Sequence, residues 1–100
     1  MNDFSYQILG ENPATTARHK IAGTVTVDGV PAKRLVMAMD RRFATLIAST
    51  FSDRPEVGAW SFEGLPEYPE RALIVVALDT TGNYNAEVAD YISQVATAAL

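Results

Sequence analysis

The sequence predicts an all-β fold, an antiparallel β-sandwich of about seven strands with an extended N-terminal arm. From Lys20 onward, strand-like runs recur at short intervals between turn-forming residues, and no long amphipathic helix is visible in the core. The chain has 100 residues, which suits a single domain with one hydrophobic core. We therefore expect an arm over residues 1–18, a sandwich domain over residues 19–93 and a C-terminal tail over residues 94–100.

The arm differs in composition from the rest of the chain. Its segment FSYQIL mixes apolar and polar residues and is followed by GENPATTAR, which is rich in turn-forming residues. The first predicted strand is KIAGTVTV, residues 20–27. Asp28 and Gly29 then form a turn that tolerates positive φ, and Pro31 limits the ladder that follows. The next two strands are KRLVMAMD and TLIASTF, which are joined through a pair of arginines.

The second half of the chain begins with the loop SDRPEVG and the strand AWSFEGL, in which Trp60 and Phe62 share the core face. Two prolines exclude PEYPE from a central strand. The run RALIVVALD is apolar at every position from Ala72 to Leu78, so we expect a central strand covered on both faces. The last strand lies within YNAEVADYISQV, and SQVATAAL is either a frayed strand or a short helix.

This order of features resembles the transthyretin-like, or carboxypeptidase-regulatory-like, domain, which is an Ig-like β-sandwich. The resemblance covers about Lys20 to Asp79. The sequence departs from the pattern of this family at two places, with RPEV after Asp53 and EYPER after Leu65-Pro66. We therefore expect the two loops at these places to be reshaped relative to those of the family. The residues that carry the resemblance are Gly23 and Val25, Pro31, Val36, Ser52-Asp53 with Gly58, Trp60-Ser61-Phe62, and Leu65-Pro66.

The ending VVALDTTGNYNAEVADYI is similar to small bacteriophage virion proteins, with the likeness carried by Tyr84-Asn85-Ala86 and Asp90. This resemblance implies a non-enzymatic structural or assembly protein of a virion, made in the host bacterial cytoplasm. The tail, the neck and the fibre-attachment point are the expected locations, and a capsid decoration protein is an alternative.

Composition argues against several classes of partner. The net charge is -4 and the basic residues are scattered among acids, so we expect no nucleic-acid partner. The longest apolar run, Ala72 to Leu78, is far shorter than the ~20 residues that cross a bilayer, so we expect no membrane partner. The N-terminus lacks a basic start followed by an apolar stretch, so no signal peptide is expected.

Few side chains suggest chemistry. His19 is the only histidine and there is no cysteine, so we expect no catalytic residue, no cofactor and no zinc or copper site. The segment Asp79 to Asn83 has oxygen-bearing side chains in succession, but a plain turn is favoured over a calcium loop. Asp90 is expected to bind a loop amide or to pair with Arg34 or Arg71.

Two predicted strands, residues 33–40 and 71–79, are apolar in both of their alternating phases. As neighbours in one sheet they would combine their outer faces into one apolar surface, which needs a cover. The arm, the C-terminal ATAAL and another subunit are all possible covers, so the expected partners are further copies of this chain, other virion structural proteins, or both. The predicted interface consists of Phe4, Tyr6, Ile8, Leu9, Leu35, Met37, Met39, Leu73 and Val75.

A different class of function remains open at this point. The reshaped loops, residues 52–58 and 64–71, would suit a small module that binds carbohydrate or peptide, such as a glycan on a host surface. Such a module would be a monomer, whereas an assembly protein would form oligomers.

Overall fold

The computed structural model describes residues 18–97, and every element in that range is a β-strand, which confirms the all-β prediction. The strands are β1 (Arg18–Thr24), β2 (Thr26–Val27), β3 (Val30–Pro31), β4 (Leu35–Asp40), β5 (Thr45–Phe51), β6 (Ala59–Leu65), β7 (Leu73–Leu78), β8 (Glu87–Ile92) and β9 (Val95–Thr97).

Seven of these strands form two antiparallel sheets that pack face to face as a sandwich. One sheet has the strand order β9-β1-β6, the other has the order β5-β4-β7-β8, and β2 pairs with β3 in a separate short hairpin. The core lies between the two sheets, where apolar side chains of both inner faces meet. Its buried members are Ile21, Val25, Phe62 and Leu65 from one layer, and Val36, Ala38, Leu73 and Val75 from the other.

The hairpin turn is formed by the predicted pair of residues. Asp28 has a φ of 52° and Gly29 a φ of 80°, between the paired residues Val27 and Val30. Two consecutive positive φ values define the type I′ turn, whose twist matches that of the flanking strands. The ladder ends at Pro31, because proline has no N–H to continue it.

The first predicted strand is interrupted at Val25. Its N–H donates to the carbonyl of Gly58 over 2.7 Å, and its carbonyl accepts from Ala32 N–H over 3.0 Å. Gly58 has a φ of 96°, and a Cβ there would lie 2.8 Å from Pro31 Cβ. Only glycine combines this backbone conformation with so close an approach, so Gly58 fixes the loop of residues 52–58 against the hairpin.

Ser52 is completely buried directly after β5 and joins two connections of the fold. Its Oγ accepts from Arg34 N–H and donates to the Ala32 carbonyl, both over 2.7 Å. Its own N–H donates to the Arg34 carbonyl over 2.9 Å. The hydroxyl of Ser52 thus bonds to both ends of the link between β3 and β4.

The substitution Ser52→Ala should lower the free energy of unfolding by about 2 kcal/mol, because it leaves a buried donor and a buried acceptor unpaired. The exposed Ser49 of β5 provides a matched control, and Ser49→Ala should change stability by less than about 0.5 kcal/mol. Urea denaturation of both variants measures the difference. Equal stabilities would show that the Ser52 hydroxyl is not needed.

The sandwich extends further along the chain than the sequence predicts. Arg18 belongs to β1, and Val95–Thr97 form β9, which pairs with Arg18–Lys20. The part of the predicted tail that is described is thus an edge strand of the first sheet, so the domain does not end at residue 93. Residues 1–17 and 98–100 lie outside the described residues.

Candidate interaction surface

The predicted pairing of the two doubly apolar strands is confirmed, since β4 and β7 are adjacent in the four-stranded sheet. Residues directly opposite each other on paired strands share one face of the sheet. The register places Leu35 opposite Leu78, Met37 opposite Val76, and Met39 opposite Ile74. Leu46 and Phe51 of β5 and Val88 of β8 continue this face by the same rule.

We call this surface the outer apolar face, and define it as Leu35, Met37, Met39, Leu46, Phe51, Ile74, Val76, Leu78 and Val88. The exposed fraction is 57% for Leu46, 45% for Phe51 and 57% for Val88. The six side chains of the two central strands are half-buried. Within residues 18–97, none of the nine belongs to the core or packs against it, so they shield one another on a face that points away from the second sheet.

The predicted orientation of β4 is confirmed, but that of β7 is wrong. Val36 is fully buried, so Leu35, Met37 and Met39 point outward as expected. Leu73 and Val75, which we predicted at the interface, are 0% and 4% exposed and belong to the core. They lie opposite Asp40 and Ala38, whose side chains also point inward. The outward residues of β7 are Ile74, Val76 and Leu78.

The remaining interface residues of the prediction, Phe4, Tyr6, Ile8 and Leu9, lie outside the described residues. Of the C-terminal segment ATAAL, only Ala96 and Thr97 are described, and they belong to β9 in the opposite sheet. The described part of ATAAL therefore does not cover the outer apolar face.

Charged residues at the ends of the four-stranded sheet are paired within the chain. The ion pairs join Lys33 to Asp53 over 3.4 Å, Arg34 to Asp79 over 3.8 Å, Arg41 to Asp90 over 2.6 Å and Arg42 to Asp40 over 2.7 Å. Lys33 also lies 5.1 Å above the Phe51 ring. The outer apolar face is thus bordered by charges that already have partners.

Asp40 is a buried carboxylate, and no pattern in the sequence marks it as one. It accepts hydrogen bonds from the backbone N–H and the guanidinium of Arg42, two residues along the chain. The guanidinium of Arg42 holds the pKa of the Asp40 carboxyl below its usual value. This pair closes the turn between β4 and β5, where Ala44 has a φ of 55°.

Asp90 forms its ion pair with Arg41, which we did not predict, while the charge of the predicted Arg71 also lowers the pKa of the Asp90 carboxyl. Arg41 Nε donates to its Oδ1 over 2.6 Å and lowers the pKa of this carboxyl, while Arg34 pairs with Asp79 instead. The amide that donates to Asp90 is the N–H of the adjacent Tyr91, over 2.8 Å, and it belongs to β8 rather than to a loop. The guanidinium carbons of Arg41 and Arg71 lie 4.1 Å and 4.8 Å from the centre of the Tyr91 ring.

The segment after β7 is organised by the carboxylate of Asp79, whose side chain is 2% exposed. It accepts hydrogen bonds from Thr81 Oγ1 and from the N–H groups of Thr81, Asn83 and Tyr84, over 2.7 to 3.0 Å. The hydroxyl of Thr81, with these amides, lowers the pKa of Asp79 to about 2. These bonds support the interpretation as a turn rather than a calcium loop.

The stability of the protein should therefore fall with acid partly through Asp79. A free aspartate titrates near ~3.9, so the folded state, with a pKa of about 2, favours the ionised form. This contribution is fully present above about pH 4 and is lost as the pH falls toward 2. Urea denaturation at a series of pH values should show a smaller loss between pH 4 and 2 for Asp79→Asn than for the wild type.

The control for this experiment is Asp28→Asn in the exposed hairpin turn, because asparagine tolerates the positive φ found there. Asp28→Asn should keep the acid dependence of the wild type. If Asp79→Asn also kept the acid dependence of the wild type, the hydrogen bonds to Asp79 would not contribute to folding.

His19 does not lie in a constellation that suggests catalysis. It is half-buried in β1, opposite Leu65 of β6 and Ala96 of β9, and its Nδ1 has no hydrogen-bond partner within residues 18–97. In the same range, no group of three or more His, Asp or Glu side chains is placed to hold a metal ion. No helix among the described residues is long and apolar enough to cross a membrane.

The two reshaped loops do not converge on one site. The loop of residues 52–58 precedes β6, and the loop after Gly64 follows it, so they lie at opposite ends of that strand. A strand of this length spans roughly 20 Å. Tyr68, the aromatic residue of the second loop, is half-buried, and its N–H donates to Gln94 over 2.8 Å. A compact ligand would therefore contact one loop or the other.

A cleft of about 240 Å³ opens between the sheets at one edge of the sandwich. Its floor contains Val36, Trp60, Val75 and Ala77, and its rims are residues 24–26 on one side and residues 87–89 of β8 on the other. The indole of Trp60 lies against Gly23, where an added Cβ would be only 2.7 Å from the ring. The absence of a side chain at Gly23 thus makes room for Trp60. Sequence reasoning placed Trp60 in the core but did not predict a cleft.

Comparisons of this chain with protein-family models, with curated proteins and with solved structures gave no match.

Proposed function

We propose that the protein is a non-enzymatic structural protein of a bacteriophage virion, and that copies of it associate through the outer apolar face. The observation that carries this proposal is the face itself, where nine apolar side chains on four adjacent strands point away from the core. The virion as the location is supported by the likeness of the C-terminal strands to phage virion proteins.

The energetics of the face favour a cover. Each aliphatic side chain removed from water contributes about 1.5 to 3 kcal/mol, so association that buries several of them is strongly stabilising. Met37 and Met39 lie on β4 within this face. Methionine side chains adapt to irregular partners, which suits an interface between subunits.

A second copy of this chain is the partner that fits best. Four acidic groups around the face are paired with basic side chains of the same chain, so a partner need not bring charges to compensate them. A flat apolar face can bind the same face of another copy about a two-fold axis, and such isologous contacts are the commonest in homo-oligomers.

The test of this function is whether the chain is part of a particle. Virions released from the bacterial host that carries the gene should be purified on a density gradient, and peptides of this chain quantified by mass spectrometry. We expect many copies per particle, and we expect Met37→Glu to reduce incorporation while Ser61→Glu, on an exposed position of the other sheet, does not. Absence from purified particles, with the protein present in the lysate, would contradict the proposal.

A further inference from the structure

The turn between β4 and β5 presents an aromatic side chain to solvent. Phe43 follows the end of β4, and its N–H donates to the carbonyl of Asp40 over 3.3 Å. Its side chain is 71% exposed, the largest fraction among the large apolar residues that the structure describes. An exposed aromatic ring on a turn has the form of an anchor that fills a pocket of a partner.

The cleft of about 240 Å³ between the sheets has the size and the lining that such an anchor needs. A cavity of about 150 Å³ accommodates a benzene ring, so the phenyl ring of Phe43 fits. The floor of the cleft includes the indole of Trp60, against which a second ring can pack in a tilted or offset arrangement. The volume is below the ~300 to 1,000 Å³ of typical small-molecule pockets, so the cleft suits one aromatic side chain better than a small ligand.

The turn and the cleft lie at opposite ends of the four-stranded sheet. Val36 and Ala77 are paired across β4 and β7, and both line the cleft. Phe43 follows Asp40 at the other end of β4, which is roughly 14 Å from Val36 at the rise of a strand. A chain therefore cannot place its own Phe43 in its own cleft, and a contact between the two features joins two copies.

Acidic groups that lack an ion-pair partner border the cleft. Glu87 lies on its rim and also lines a smaller cleft of about 140 Å³, to which Asp28 of the hairpin turn belongs. Among the described residues, neither carboxylate forms an ion pair. A basic group of a second copy can therefore bind here without displacing an existing partner.

The turn that carries Phe43 supplies basic groups of this kind. The side chains of Arg41 and Arg42 are 40% and 45% exposed. Each guanidinium bonds within the chain through Nε and one terminal nitrogen. A guanidinium has further N–H donors in the same plane, and these remain for the carboxylates at the cleft of another copy. The two ends of the molecule thus complement each other in shape and in charge.

We propose that Phe43 of one copy inserts into the cleft of the next copy, and that this contact links copies head to tail. The contact is heterologous because it joins two different surfaces, so it can be repeated from copy to copy. It rests on the association through the outer apolar face proposed above. One side chain and its flanking charges bury much less than the ~1,200 Å² of a stable interface, so the contact alone does not hold two monomers together.

Association through the outer apolar face makes the contact effective. A dimer joined through that face carries two Phe43 side chains and two clefts, so two contacts can form at one junction between dimers. Once the first contact has formed, the second forms at a high effective concentration. We therefore expect rows of dimers, an arrangement that suits a repetitive part of a particle.

The substitution Phe43→Ser tests the anchor. Sedimentation velocity at concentrations where the wild type exceeds the dimer should show at least a roughly tenfold loss of the larger species, because each junction loses buried aromatic surface. The face-paired dimer should remain. The matched control is Val57→Ser, which removes an apolar side chain that is 55% exposed and lines neither cleft. It should assemble like the wild type.

A mixing experiment tests whether the anchor and the cleft belong to one contact. Ala89 is exposed on β8, lines the cleft and lies opposite Val75, so Ala89→Phe fills the cleft with a ring of the same chain. This variant keeps Phe43, and Phe43→Ser keeps an open cleft. Each variant alone should stop at the dimer, whereas the mixture should form larger species. A mixture that also stops at the dimer would contradict the contact.

The fluorescence of Trp60, the only tryptophan of the chain, reports on the cleft directly. In the wild type, the acrylamide quenching constant of Trp60 should fall as the protein concentration rises and the cleft is filled. In Phe43→Ser it should stay constant. Quenching of the wild type that does not change with concentration, while larger species form, would assign these species to another contact and overturn the proposal.

The results also separate this contact from the outer apolar face. A wild type that stops at the dimer would overturn the head-to-tail contact and leave the outer apolar face supported. Large species that persist in Met37→Glu and disappear in Phe43→Ser would support the head-to-tail contact and contradict the outer apolar face.

Discussion

Replacing Leu73 by alanine should lower the free energy of unfolding by about 3 kcal/mol, whereas the same change at Leu78 should cost about 1 kcal/mol. Both leucines lie on β7, but Leu73 is fully buried in the core and Leu78 is half-buried on the outer apolar face. Urea denaturation of the two variants at a concentration where the wild type is monomeric measures the difference.

The physical reason lies in what surrounds each side chain. Leu73 packs among the core residues between the two sheets. Its truncation therefore loses the free energy of transferring the side chain out of water and also leaves a cavity. Leu78 loses contact with its neighbour Leu35 on a face that remains partly in water. If Leu78→Ala cost as much as Leu73→Ala, Leu78 would be packed as closely as Leu73, which would contradict its position on a partly exposed face.

Replacing Met37 by glutamate should weaken self-association at least roughly a hundredfold while leaving the folded monomer intact. In a symmetric interface the change occurs twice, and two lost contacts of about 1.5 kcal/mol each correspond to that factor. Met37 points away from the core, opposite Val76 and Ser49, so the charge is accommodated in the monomer. Sedimentation of the variant over a range of concentrations measures the effect.

Ser61→Glu is the matched control, because Ser61 is exposed on β6 of the other sheet and gains the same charge. It should associate like the wild type. If both variants lost association equally, the added negative charge on a chain of net charge -4 would explain the result, and the outer apolar face would not be the interface.

Local signals in the sequence predict most of the strands. The run Ala59–Leu65 shows why, because Trp60 and Phe62 alternate with Ser61 and Glu63 and so mark one buried face. The pair Asp28 and Gly29 likewise specifies its own turn through residues that tolerate positive φ. For β9 the sequence does not decide between a frayed strand and a short helix, because Val95 and Ala96 are exposed in an edge strand, where no alternation of buried residues is imposed.

The candidate surface could be predicted in β4 but not in β7, for a reason that depends on patterning. In β4 the resemblance to a known sandwich places Val36 inward, which fixes Leu35, Met37 and Met39 outward. In β7 both phases consist of aliphatic residues, so the sequence does not distinguish Leu73 and Val75 from Ile74 and Val76. The register with β4 shows which residues of β7 point outward, because the outward-pointing Leu35 lies opposite Leu78.

The cleft beside β1 could not be predicted from local sequence. It depends on β9 ending its pairing at Lys20, which is a matter of how far two strands distant in sequence overlap. Gly23 was recognised as part of the strand signature, but its contact with the Trp60 indole requires the register between β1 and β6. Neither fact leaves a periodic signal in the chain.

The central claim, association through the outer apolar face, is tested most directly by sedimentation equilibrium of the wild type, Met37→Glu and Ser61→Glu under identical conditions. The claim predicts that the wild type and Ser61→Glu form oligomers whose population rises with concentration, and that Met37→Glu remains a monomer of 10.8 kDa. A wild type that stays monomeric at the highest concentrations, or a Met37→Glu variant that associates as strongly as the wild type, would contradict it.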